Sequence, residues 1–77
     1  MENMYSIMVN NKIYIFTNDQ QWQDNETFSV IAICDNDEYC VDYYVPDISE
    51  GEEDCIDWES PSLISRLSDG EVMYKII

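Results

Sequence analysis

Residues 27–45 read TFSVIAICDNDEYCVDYYV, and this stretch decides the fold. Phe28, Val30 and Ala32 fall on one side of the run Thr27 to Cys34, and Ile31 and Ile33 fall on the other with Ser29. β-Branched and aromatic residues at period two mark a strand, and one that is apolar on both faces belongs in the middle of a sheet. Asp35-Asn36-Asp37-Glu38 supplies a turn. Tyr39 to Val45 then returns with Tyr39, Val41, Tyr43 and Val45 alternating against Cys40, Asp42 and Tyr44. The pair reads as an antiparallel hairpin with Asp42 and Tyr44 on its less buried face. Pro46 ends it, because proline has no N–H to give to a ladder.

The same pattern occurs upstream. Met4 to Val9 and Ile13 to Thr17 alternate around Asn10-Asn11, whose side chains tolerate the left-handed backbone of a tight turn, so this segment predicts a first hairpin. Between the hairpins, Asn18 to Glu26 (NDQQWQDNE) has no usable period and reads as a connecting loop. Trp22 there either folds back over the end of a small core or stands out as a binding anchor.

Downstream, Asp47 to Asp57 reads as a charged loop with at most one helical turn. Gly51 and repulsion among Glu50, Glu52, Glu53 and Asp54 weaken any longer helix. Ser60-Pro61 carries a helix start signal, a capping serine before a proline whose missing N–H costs nothing at the first position. A short helix through Leu67 would bury Leu63, Ile64 and Leu67 and stop at Asp69-Gly70, leaving Glu71 to Ile77 as a last strand. The expected fold is therefore α+β: residues 1–77 form a single domain with a five-stranded antiparallel sheet and one short helix packed on a face.

Charge sets the functional expectation. The chain of 77 residues carries 17 Asp and Glu against 3 Lys and Arg, a net charge of -14. Eleven of those carboxylates lie in the 25 residues from Asp35 to Glu59, with no Lys, Arg or His among them. Like charges ~7 Å apart repel by roughly 0.6 kcal/mol in water before salt screening. A domain this small buries only about 60–65% of its unfolded surface, so its stability margin is thin. Solubility alone asks for a net charge of only ~2–8. The excess points to a basic partner, and it argues against direct binding to nucleic acid or to an anionic membrane.

Several chemistries drop out. There is no histidine, which removes the commonest general base and metal ligand, and no catalytic motif is present, so an enzyme is not expected. Cys34, Cys40 and Cys55 are too few for a structural zinc set, and the acid clusters lack the glycine and glutamate spacing of a calcium loop, so neither a metal nor another cofactor is expected. An odd number of cysteines fits reduced thiols. With no apolar run of ~18 residues and no cationic, apolar start at Met1-Glu2-Asn3, the expected compartment is the cytoplasm.

In size, acidity, lack of histidine and β-rich pattern, the chain resembles the short acidic inhibitors that bacteriophages encode. These include anti-restriction proteins, anti-CRISPR proteins and inhibitors of uracil-DNA glycosylase. The likeness lies in composition over the whole chain and in no motif, EGEEDCIDWESP included, so no residue roles carry over. It implies a DNA mimic in the host cell cytoplasm, one that occupies the nucleic-acid site of a host defence or DNA-processing protein. The residues expected to meet that partner are Asp35, Asp37, Glu38, Asp42, Tyr44, Asp47, Glu50, Glu52, Glu53, Asp54, Asp57, Trp58 and Glu59. Two other readings use the same residues: an immunity protein or antitoxin against a basic nuclease, and a small assembly protein with a solvated acidic face. An uncovered last strand ending Lys75-Ile76-Ile77 could also pair across a two-fold axis to give a homodimer.

Overall fold

The computed structural model describes residues 5–24, 26–45 and 56–76. The expectations for residues 46–55, including those for Asp47, Glu50, Glu52, Glu53 and Asp54, lie outside them. The described chain forms one antiparallel sheet of six strands in sequence order, curled into a half-barrel. Its strands are β1 (Ser6–Val9), β2 (Lys12–Trp22), β3 (Thr27–Cys34), β4 (Asp37–Tyr44), β5 (Leu63–Arg66) and β6 (Val72–Lys75).

Both expected hairpins close on two-residue turns. Asn10 and Asn11 have φ of 53° and 68°, and Asp35 and Asn36 have 52° and 70°. Two successive left-handed residues match the twist of the flanking strands, and Asn and Asp adopt that conformation at low cost. The second turn is tighter than expected. Asp37 and Glu38 already belong to β4, paired with Cys34 and Ile33.

The α+β expectation is overturned, since no helix occurs among the described residues. The stretch that follows the helix start signal is β5, paired with β4 through Asp42↔Leu63, Val41↔Ile64, Cys40↔Ser65 and Tyr39↔Arg66. A helix of under two turns gains little by itself, whereas β4 offers a full row of backbone donors and acceptors on its open side. Ser62 shows the exchange: its N–H donates to the Asp42 carbonyl and its Oγ accepts the Tyr44 N–H, at 2.8 and 2.9 Å. Asp69-Gly70 turns the chain into β6 instead of ending a helix. Gly70 takes φ of 73°, and Arg66 ties the turn through Asp69 and Glu71.

The Asn18 to Glu26 loop is also largely strand. β2 runs on to Trp22, and Gln20, Gln21 and Trp22 pair with Val30, Ser29 and Phe28 after a register shift that follows Phe16. Thr17 fills the gap, its Oγ1 donating to the Ile31 carbonyl at 2.8 Å. The shift hides the strand from any period-two search but keeps Phe16, Gln20 and Trp22 on one face. Trp22 packs its ring on Phe28, 5.2 Å between centroids.

That face is the core. Ile7, Tyr14, Phe16, Phe28, Val30, Ala32, Cys34, Tyr39, Val41, Tyr43 and Ile64 are buried on the inside of the curl, with Ile56 and Pro61 from the β4–β5 connection closing over it. Val30, Val41 and Ile64, on three adjacent strands, have no exposed surface at all. Aromatic rings fill much of the interior edge to face, as with Tyr14 and Tyr39 at 5.3 Å and 87°. The outside of the curl shows Met8, Ile13, Ile15 and Ile33 to solvent. β1 and β6 end the sheet, each with one neighbouring strand among the described residues.

Candidate partner interface

The expected carboxylate belt separates into groups with different roles. Asp35, Asp37 and Glu38 are exposed at the tip of the β3–β4 hairpin. Lys12 Nζ lies 3.7 Å from Asp35 Oδ2 across the tip. A shallow cavity of about 470 Å³ opens beside it, lined by Ile33, Asn36, Asp37, Glu38, Leu67 and Ser68. Tyr44 is exposed near the opposite end of β4.

Asp42 is half-buried and is engaged within the sheet. Its Oδ1 accepts the Ser29 hydroxyl at 2.6 Å and the Cys40 thiol at 3.2 Å, across the β3–β4 pair. Ser29 is only 3% exposed, so Asp42 serves as the internal acceptor for a buried hydroxyl. Burial, then the hydrogen bond to Asp42 and its charge, push the Cys40 thiol up to about 11. Cys34 points into the core and Cys40 to the outer face, so the two thiols share no site.

Asp57, Trp58 and Glu59 form the third group. Trp58 turns inward and sets its ring against Tyr43, Phe28 and Phe16 at 5.1, 5.7 and 6.1 Å. Its carbonyl accepts the Tyr43 hydroxyl at 2.6 Å, which locks the backbone of the segment to β4. Asp57 and Glu59 are thereby turned outward, in a bend held by the Ser60 N–H donating to the Asp57 carbonyl at 3.0 Å.

Tyr5 completes this group, and sequence reasoning missed it. The Phe16 N–H donates to the Tyr5 carbonyl at 2.8 Å, so the register of β1 against β2 sets the two rings side by side, 5.6 Å apart. The Tyr5 hydroxyl then donates to Glu59 Oε2 at 3.1 Å, joining residues 54 apart in sequence. Tyr5, Phe16, Gln20 and Trp58 line an open cavity of about 360 Å³. Loss of water raises the Tyr5 phenol pKa, and the bond and charge of Glu59 and the charge of Asp57 raise it further. Burial raises the Tyr43 phenol as well, helped by its neighbour Tyr5 and by the charges of Asp57 and Glu59. Asp57 and Glu59 thus place two exposed carboxylates at this end of the half-barrel.

The two outward acidic groups act separately. Tyr43, which touches Trp58, lies six residues along β4 from Asp37, or ~20 Å at ~3.3 Å per residue. That exceeds the ~8 Å screening length at physiological salt. Among the described residues the ion pairs engage Asp35, Asp69 and Glu71. Asp37, Glu38, Asp57 and Glu59 have no cation paired with them there. Also among the described residues, no three Cys, Asp or Glu side chains come together to hold a metal, and no helix is long and apolar enough to cross a membrane.

Comparison with protein-family models, with curated proteins and with solved structures finds no significant match to this chain.

Proposed function

We propose that the protein is an acidic inhibitor that binds the basic nucleic-acid-binding surface of a host defence or DNA-processing protein and blocks access of DNA or RNA. In that role it is a mimic of the nucleic acid, acting in the cytoplasm of a bacterial host and encoded by a phage. The observation that carries the reading is the uncompensated charge. Arg66 is committed to Asp69 and Glu71 and Lys12 reaches Asp35, while Asp37, Glu38, Asp57 and Glu59 are exposed and meet no cation among the described residues. Apart from the Tyr5 hydroxyl that Glu59 accepts and the Glu59 N–H that Asp57 accepts, the fold gains little internally from that arrangement, whereas a surface built to hold phosphates is its electrostatic complement. Asp57 and Glu59 add aromatic neighbours, the residue type that concentrates binding energy at interfaces.

Competition tests this. The full chain is immobilised, basic nucleic-acid-binding proteins retained from a bacterial lysate at 50 mM NaCl are eluted with 500 mM NaCl, and the purified target is titrated with labelled DNA or RNA. The expected result is mutually exclusive binding. A target that holds its nucleic acid with unchanged affinity inside the complex overturns the reading.

A further inference from the structure

The cavity between Tyr5, Phe16 and Trp58 has the composition of a receptor for one organic cation. Two of its lining rings, Tyr5 and Phe16, stand 5.6 Å apart, and Trp58 closes it 6.1 Å from Phe16. Its volume of about 360 Å³, open to solvent on one side, leaves room for a long side chain. The faces of aromatic rings carry negative potential and attract cations, most strongly where the rings surround the charge. Glu59 lies beside the lining residues and not among them: its Oε2 accepts the hydroxyl of Tyr5 at 3.1 Å, with Asp57 two residues before it. Gln20 sends its amide nitrogen to the Thr17 carbonyl at 3.1 Å, leaving its amide oxygen as a further acceptor.

We infer that this cavity takes a single arginine side chain from the protein partner, its guanidinium stacked against the Trp58 and Tyr5 rings and its N–H groups donating to Glu59. Guanidinium fits better than ammonium for two reasons. It is planar and weakly hydrated, so it stacks on a ring at little desolvation cost, and its fork matches a carboxylate edge. A cavity with aromatic walls and a carboxylate beside it uses both properties at once. The inference rests on the proposed function only for the source of the cation, since surfaces that hold phosphates are rich in arginine. The hairpin tip carries comparable charge, but its cavity is lined by Ile33, Leu67 and polar groups, with no ring.

The test is a titration of the full chain with a capped Gly-Arg-Gly tripeptide, against the same peptide with neutral citrulline for arginine, followed by two-dimensional NMR. The expected result is saturable shifts of the Trp58 indole N–H and the Tyr5 and Gln20 amides, with the Trp22 indole unmoved. Citrulline should bind at least fivefold more weakly. Glu59→Gln should weaken arginine binding three- to tenfold, and Tyr5→Leu likewise. Asp37→Asn, which removes the same charge at the far tip, should leave it unchanged. Tyr5 is 41% exposed, so its replacement spares the core. Equal binding of the citrulline peptide, or equal loss in Glu59→Gln and Asp37→Asn, overturns the inference. If the arginine peptide fails to bind while the target complex still excludes DNA, the pocket is wrong and the function stands. If the peptide binds but the complex leaves DNA in place, the function fails and the pocket stands.

Discussion

Replacing Asp42 by alanine tests whether this carboxylate belongs to the fold or to the binding surface. Ser29 is 3% exposed, and its hydroxyl donates to Asp42 at 2.6 Å, so Asp42→Ala leaves a buried donor without its charged acceptor. Such an orphan costs ~1–3 kcal/mol. Removing one of 17 carboxylates from a chain of net charge -14 returns a few tenths of that at physiological salt. The net loss is about 1–2.5 kcal/mol. With a urea slope of ~1 kcal/mol/M for so small a domain, the unfolding midpoint should fall by ~1–2.5 M. The double variant Ser29→Ala/Asp42→Ala removes both ends of the bond, so it should be more stable than the sum of the single losses implies, with a coupling of ~1–2 kcal/mol. Asp42→Asn keeps an acceptor and should lose less than half as much. Urea unfolding of the wild type, Ser29→Ala, Asp42→Ala and the double variant, followed by tryptophan fluorescence, measures the cycle, with Asp42→Asn beside them. Losses that add within ~0.3 kcal/mol would refute the internal-acceptor role and return Asp42 to the surface.

Salt should act on stability and on binding in opposite directions. Raising NaCl from 50 to 500 mM should increase the urea midpoint by screening self-repulsion while weakening the target complex; a complex that tightens with salt contradicts the electrostatic reading. Cys40, pushed up to about 11, should be alkylated by iodoacetamide at pH 8 about a hundredfold more slowly than a thiol of ordinary pKa, and urea should abolish the difference. Asp69 is held below its usual value of 3.8, first by the Glu71 N–H and then by Arg66. A depressed carboxylate contributes stability above its unfolded value and loses it as pH falls through the folded one, so Asp69→Asn should remove part of the acid destabilisation that develops below pH 3.8. Midpoints measured at pH 5 and at pH 2.5 give the comparison.

Both early hairpins were legible because their information is local. Asn10-Asn11 and Asp35-Asn36 sit between alternating apolar residues, and turn and strand preferences agree there. The segment Ser60 to Leu67 misled because its start signal is also local, while the force that makes it a strand is the open edge of β4, about twenty residues away in sequence. β2 beyond Phe16 was invisible for a related reason. Gln20 and Gln21 are held by backbone pairing with β3, which leaves no trace in side-chain period. Nor does alternation say which side of β2 is inside: Tyr14 and Phe16 are buried and Ile13 and Ile15 exposed. In the interface, Asp57, Trp58 and Glu59 stood out by composition. Tyr5 could not, since its tie to Glu59 exists only once β1 and the β4–β5 connection meet.

Among the described residues the half-barrel stops short of closing, and β1 and β6 are each paired on one side only, which leaves rims for strands of other molecules. At neutral pH the repulsion between molecules of net charge -14 opposes such docking, so the same costly charge also works against fibre growth. Near the isoelectric point, about 4.1, that repulsion is gone, and thioflavin-positive assemblies should appear there first.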